Sequence, residues 1–366
     1  MHHRPSSRRA WLSLLWGGLL LAGINLAANH WLPSRMTYWR DPGFYQRQTG
    51  LIERMQSKVA DSDSQSAQRP FVVAMCGSSR VLYGFDGAQA EATLQTRLER
   101  PVVAVNLGTP GSSAAHTLLN LGRMIRNGTY PDLVLIEAFP LFFRAGAQPA
   151  ELFRSIEQID QVDAEWMNRY DVPIPARLTE QQANSPFAIW NYRAEVLRSL
   201  QLPVRDGVFY RETDRYGATL MPDLPLDSPQ RHSIFAHTKK RYFGINRNYH
   251  SGGPSWQAVA AVLQACQEHN ISAAVVIMPE GPVFRSWYRP GAREEFLEKM
   301  NDLAKQHQCP VINGWEWQSE VEFGDSHHLR ASGAKAFSER LAKELAAEPI
   351  LVAAVNRPRK PVRSDY

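Results

Sequence analysis

The stretch Phe71-Val72-Val73-Ala74-Met75-Cys76-Gly77-Ser78-Ser79-Arg80 decides the fold. Its first five residues, Phe71–Met75, form an apolar run rich in β-branched side chains, the composition of a buried strand. Gly77, Ser78 and Ser79 then end the run with small residues that favour a sharp turn. An open α/β sheet places its chemistry at the carboxyl ends of its strands, which makes this turn a candidate site. Glycine and serine also fill turns for backbone reasons alone, so the turn acquires meaning only from partners elsewhere in the chain.

Outward from this stretch, Val102–Val105 and Leu133–Ile136 repeat the short apolar run; Ala273–Met278 and Pro310–Ile312 do so after a long interval. Between and after them the apolar residues fall at helical spacing. Helices are predicted at Ala88–Leu98 and at Ser112–Ile125, the second stopped by Asn127-Gly128. Further helical sets are Trp256, Val259, Leu263 and Cys266; Phe296, Met300 and Leu303; and Ala334, Phe337, Leu341 and Leu345. Continuous apolar strands alternating with amphipathic helices predict an α/β, three-layer α/β/α domain over residues 71–348, with a central, mostly parallel five-stranded sheet.

Residues 146–253 do not fit the alternation. They contain a predicted helix at Pro186–Leu200 and a remainder rich in Pro, Asp and Arg, too long for a structureless loop. The region reads as an insertion packed beside the sheet. Its aromatics (Trp166, Trp190, Tyr192, Tyr210, Tyr216, Tyr242, Phe243 and Tyr249) fill a small core of the insertion's own or line a wall that stacks on sugars. The first reading takes precedence.

Trp11–Ala28 has no charged residue and follows Arg4, Arg8 and Arg9. Its length suits a membrane helix of about 20 apolar residues, with the basic flank cytoplasmic. A signal peptide is the alternative, and Ser7-Arg8-Arg9-Ala10-Trp11-Leu12 is similar to a twin-arginine export signal. The extension by Trp31 and Leu32, and the lack of a clear A-x-A site, favour an uncleaved anchor. The predicted organisation is an anchor over 1–32, a polar stalk over 33–70, the domain over 71–348 and a basic tail over 349–366. The stalk holds the run Asp61–Ser66 and a short helix at Leu51–Val59. This arrangement is that of a single-pass membrane protein with its main domain on the extracytoplasmic side.

Charged residues are 21% and hydrophobic residues 44% of the 366, which excludes a disordered chain. The net charge of +5 lies partly in the two ends, as in solvated or headgroup-facing tails. No zinc-finger spacing and no basic reading helix occurs, so nucleic acid is not an expected partner. Cys76, Cys266 and Cys309 lack metal-ligand spacing and read as buried thiols; a Cys266–Cys309 disulfide is the alternative outside the cytoplasm. Neither metal nor cofactor is expected.

The partners sought for the turn stand near the C-terminus, in Phe323-Gly324-Asp325-Ser326-His327-His328-Leu329 ahead of an amphipathic helix. Asp325 and His328, three apart, can lie on one side of a turn or helix. A serine hydroxyl needs a neighbouring base, and the base needs an acid to hold its tautomer. Ser79, His328 and Asp325 fit these roles, with His327 the competing base and His116 structural. Singly, each has an ordinary explanation: an N-cap for Asp325, a surface loop for the histidines. Val105-Asn106-Leu107-Gly108-Thr109-Pro110-Gly111 adds glycines whose backbone N–H groups can approach an oxyanion, or merely an ordinary strand-to-helix turn.

Taken in order, Gly-x-Ser, Asn-x-Gly-x-x-Gly and Asp-x-x-His resemble the SGNH/GDSL hydrolase superfamily, over Phe71–Phe143 and Ala273–Leu345. The resemblance implies Ser79 as nucleophile, Asp325 and His328 as acid and base, and the N–H groups of Ser79 and Gly111, in preference to Gly108, as oxyanion donors. Arg80 and Asn106 are candidate substrate contacts. Two positions depart from the family: Ser78 replaces the Asp of Gly-Asp-Ser, and Glu137-Ala138-Phe139-Pro140-Leu141 replaces Gly-x-Asn-Asp, removing the asparagine donor. The missing asparagine and the anchor are similar to the membrane-anchored branch, which includes alginate O-acetylation proteins and the D-alanyl transfer protein of teichoic acid synthesis. Met278-Pro279-Glu280 resembles that branch as well.

The resemblance implies an exported, membrane-tethered serine esterase or O-acyltransferase acting on envelope or extracellular polysaccharide. It implies an acyl ester or thioester donor, a carbohydrate acceptor, and a membrane acyltransferase as candidate partner. The alternative is a non-catalytic binding or assembly component of an envelope machine. Phosphate-ester chemistry at Gly77–Arg80 is disfavoured, because no clustered carboxylates for metals accompany it.

Overall fold

The computed structural model describes residues 7–35, 41–60, 69–148, 159–174, 197 and 213–355. Strands β1 (Phe71–Gly77), β2 (Val102–Gly108), β3 (Leu133–Glu137), β4 (Ser272–Ile277) and β5 (Val311–Asn313) form one sheet in the order β2-β1-β3-β4-β5. Every pairing is parallel, so the sheet is wholly rather than mostly parallel. Every residue of β1 to β4 is buried, as expected where helices cover both faces.

In chain order the described helices are α1 (Ser7–Arg35), α2 (Pro42–Ala60), α3 (Ser79–Gly84), α4 (Gly87–Leu98), α5 (Ala114–Arg126), α6 (Gln161–Arg169) and α7 (Pro229–Arg247). They continue with α8 (Ser255–Glu268), α9 (Pro282–Arg285), α10 (Ala292–Gln306), α11 (Ala331–Ala347) and α12 (Pro349–Val355). Successive strand side chains point to opposite faces. Phe71, Val73 and Met75 of β1 accordingly share one core with Ala90 and Leu94 of α4 and Phe337, Leu341 and Leu345 of α11. Helices α5 and α8 pack on one another, α5 against β1 and β3 and α8 against β4. Three layers result.

The chain divides into two compact units, residues 1–42 with 155–161 and 175–210, and residues 43–154 with 162–174 and 211–366. The first holds α1, whose segment Ala10–Ala28 is long and apolar enough to cross a membrane. The second holds the sheet. The expected helix at Pro186–Leu200 (apart from Leu197), the run Asp61–Ser66, the aromatics Trp190, Tyr192 and Tyr210, and the tail beyond residue 355 lie outside the described residues.

Two expectations change. The polar stretch 33–70 is not stalk throughout: α2 is longer than the predicted Leu51–Val59, and its Phe44, Leu51 and Met55 are buried. These residues, seven and four apart, make an apolar stripe diluted by polar neighbours in the linear sequence. On the same helix Arg54 and Lys58 pair with Glu91 of α4 at 2.9 and 2.8 Å. The insertion's described aromatics divide: Tyr249 is buried, Phe243 is exposed, and Trp166 and Tyr242 pack on residues of the main domain. Trp166 of α6 donates its indole N–H to the Leu118 carbonyl of α5 at 2.9 Å. A Cβ at Gly122 would stand 2.5 Å from that indole nitrogen, so glycine there makes room for the ring. Cys76, Cys266 and Cys309 are buried free thiols.

Candidate active site

β1 is flanked by β2 on one side and β3 on the other, so the chain reverses its direction of travel across the sheet there. Such a switch point opens a crevice at the carboxyl ends of the strands. The Gly77-Ser78-Ser79 turn sits over it. Ser78 caps α3, its hydroxyl accepting the Arg80 N–H at 3.2 Å, and Ser79 is the first helical residue. Glu137, ending β3, accepts the Ser78 N–H on Oε2 at 2.5 Å. A Cβ at Gly77 would lie 2.4 Å from that carboxylate oxygen and 2.5 Å from Val81 Cγ2. Only glycine admits so close an approach.

The loop before α11 closes on itself through a Phe323–Leu329 bridge, with Ser326 in the left-handed region at φ 65°. Inside it Asp325 Oδ1 accepts the backbone N–H groups of His327 at 3.0 Å and His328 at 2.6 Å. Asp325 Oδ2 faces His328 Nδ1 at 2.9 Å, and His328 Nε2 lies 2.9 Å from Ser79 Oγ. With Nδ1 protonated toward the carboxylate, Nε2 accepts the serine O–H. Ser79, His328 and Asp325 are therefore assembled in one hydrogen-bonded line.

Asp325 is 2% exposed. Burial pushes its carboxyl up, but the charge and hydrogen bond of His328, with His327 and Thr238, outweigh this and hold it well below the usual carboxylate range. Ser79 and His328 are half-buried, open to solvent on one side. His327 is the opposite case. It is buried and stacked on Phe284 at 4.9 Å, between Phe139 and Tyr242, and burial followed by the neighbouring His328 drives its pKa far down. Its ring is a neutral wall of the site.

Gly108 donates its N–H to Asn106 Oδ1 at 2.8 Å, which removes it as an oxyanion donor. Gly111 is exposed at φ 75°. Among the described residues neither the Ser79 nor the Gly111 N–H meets a protein acceptor.

Arg80 and Asn106 are not placed to meet a substrate. Arg80 is 2% exposed and donates to the carbonyls of Met278 at 2.9 Å and Pro279 at 2.7 Å. Its guanidinium stands between the carboxylates of Glu137 and Glu280 and over the Phe139 ring. Both carboxyls are raised by burial against the opposing charge of Arg80. Met278-Pro279-Glu280 is thus the receptor for Arg80, with Glu280 also held by Trp315 Nε1 at 2.7 Å. Asn106 is fully buried; its Nδ2 donates to the Val81 carbonyl at 2.7 Å and that of Phe85 at 2.9 Å, tying β2 to the end of α3.

One site residue escapes the sequence reading altogether. Thr238, in α7 of the insertion, donates Oγ1–H to Asp325 Oδ2 at 2.7 Å. No local signal marks a single threonine on a basic helix. Among the described residues no group of His, Cys, Asp or Glu is placed to hold a metal ion. No family model matches this chain, and no curated protein matches its sequence.

Proposed function

We propose that this chain is an exported, membrane-tethered serine esterase or O-acyltransferase of the SGNH type, acting on envelope or extracellular polysaccharide. The observation that carries the reading is the line Ser79 Oγ, His328 Nε2, His328 Nδ1, Asp325 Oδ2, with both links at 2.9 Å. Ser79 attacks an ester or thioester carbonyl while His328 takes its proton, and Asp325 stabilises the imidazolium. The N–H groups of Ser79 and Gly111 receive the developing oxyanion. His328 returns the proton to the leaving group, leaving an acyl-Ser79 ester. A sugar hydroxyl or water, deprotonated by the same histidine, then releases the acyl group. The apolar helix α1 anchors the chain, and the basic N-terminal flank favours an extracytoplasmic domain.

The test is labelling of the full-length protein in detergent by a fluorophosphonate, together with aryl-acetate turnover. We expect stoichiometric label on Ser79, and loss of both label and turnover in Ser79→Ala. Equal turnover by the two proteins would sink the serine mechanism. One observation favours the second reading, a non-catalytic assembly component: the segment Glu137–Leu141 that replaces the family's Gly-x-Asn-Asp holds no asparagine donor, and its Glu137 spends its carboxylate on Ser78. Loss of one such donor is worth about 10²–10³ in rate. A folded protein that takes no fluorophosphonate would establish that reading instead.

A further inference from the structure

Helix α7 belongs to the insertion, yet it grips the loop that carries the acid and base at three places along one face. Arg231 donates to the Phe323 carbonyl through Nη2 at 3.1 Å and Nε at 3.3 Å. Thr238 donates to Asp325 Oδ2 at 2.7 Å. The ring of Tyr242 meets that of His327 at 5.0 Å between centroids. Residues 231, 238 and 242 are seven and four apart, which places them on one side of a helix. Of these contacts only the Thr238 bond reaches a member of the triad, and Thr238 is itself buried.

Asp325 thereby receives four donors: two backbone N–H groups on Oδ1, and the His328 ring and the Thr238 hydroxyl on Oδ2. We infer that Thr238 is a positioning residue of this site, through which the insertion holds the Asp325 carboxylate in the plane of the His328 ring and sets how much of its charge the imidazolium receives. The inference rests on the serine reading above. Without the hydroxyl the carboxylate can rotate about its Cβ–Cγ bond, and the remaining density on Oδ2 goes to His328 alone. Rotation slows acylation.

The experiment measures fluorophosphonate labelling rate and the kcat and KM of aryl-acetate turnover in full-length wild type, Thr238→Val and Thr238→Ser. Val keeps the shape of threonine and removes the hydroxyl; Ser keeps the hydroxyl. We expect Thr238→Val to lower kcat and labelling rate about tenfold, the worth of one hydrogen bond to a charged group, with KM unchanged. Thr238→Ser restores the rate. A wild-type kcat and labelling rate in Thr238→Val overturns the inference. So does an equal fall in Val and Ser, which marks packing alone. If Thr238→Val does not fold, Thr238→Ala against Thr238→Ser makes the same comparison with smaller side chains. Ser79→Ala, measured alongside, separates the two claims: inert Ser79→Ala with silent Thr238→Val refutes only the role of Thr238, whereas active Ser79→Ala removes the serine reading and this inference with it.

Discussion

Glu137 Oε2 accepts the backbone N–H of Ser78 at 2.5 Å, so the last residue of β3 holds the turn that precedes the candidate nucleophile. The same carboxylate faces Arg80 at 3.8 Å from Nε, and Arg80 reaches on to Glu280. Glu137→Ala orphans the buried Ser78 N–H, while Arg80 keeps Glu280 and the carbonyls of Met278 and Pro279. It is expected to cost about 1–3 kcal/mol of unfolding free energy. Glu137→Gln retains an acceptor oxygen and costs less. Urea unfolding of the two variants checks the order; equal losses would show that the Ser78 bond contributes nothing.

Asp325 sets an acid-side prediction. Its folded-state carboxyl is held below the unfolded value of about 3.9. A depressed carboxyl contributes stability that is present above the unfolded pKa and lost as pH falls through the folded one. Wild type should thus lose melting temperature more steeply than Asp325→Asn on acidification below about pH 4. Glu137 and Glu280, raised by burial, act with the opposite sign but equally in both proteins. Parallel melting curves would refute the assignment.

Asn106 is expected to act on folding and presentation of Ser79 rather than on substrate affinity. Asn106→Ala leaves the Phe85 carbonyl and the Gly108 N–H without this partner, and the Val81 carbonyl with the Phe85 N–H alone. Orphaned buried groups cost about 1–3 kcal/mol each, so the variant should be destabilised by at least that much. Aryl-acetate KM in the surviving folded fraction should match wild type. A raised KM with unchanged stability would restore Asn106 as a substrate contact.

Gly108, the last residue of β2, and Gly111, three residues on, should respond unequally to alanine. A Cβ at Gly108 would stand 2.2 Å from the Leu82 backbone nitrogen, which cannot move without shifting α3. Gly108→Ala should lose more than about 4 kcal/mol, in the range reserved for severe lesions. At Gly111 the space is open and only the left-handed backbone is strained, a cost of about 1–2 kcal/mol. Thermal melts of both variants decide; similar melting temperatures would contradict the geometry.

Much of the fold was legible along the chain. The strand runs Phe71–Met75, Val102–Val105 and Leu133–Ile136 each match an observed strand to within a few residues, because burial on both faces writes a continuous apolar word. Helix α2 was legible only in part. Its stripe of Phe44, Leu51 and Met55 is spread among polar residues that match the composition of a tether.

The sequence by itself determined the layers, the order of alternation and the residue types able to act as nucleophile, base and acid, since each depends on neighbours a few positions away. Only the tertiary structure decided that Ser79 and His328, 249 residues apart, lie 2.9 Å from one another, and that Arg80 and Asn106 turn inward. It alone also brought Thr238 of the insertion onto Asp325. The physical reason is that periodicity is a local property of the chain. Which polar group satisfies a buried carboxylate is set by packing across elements that no spacing rule connects.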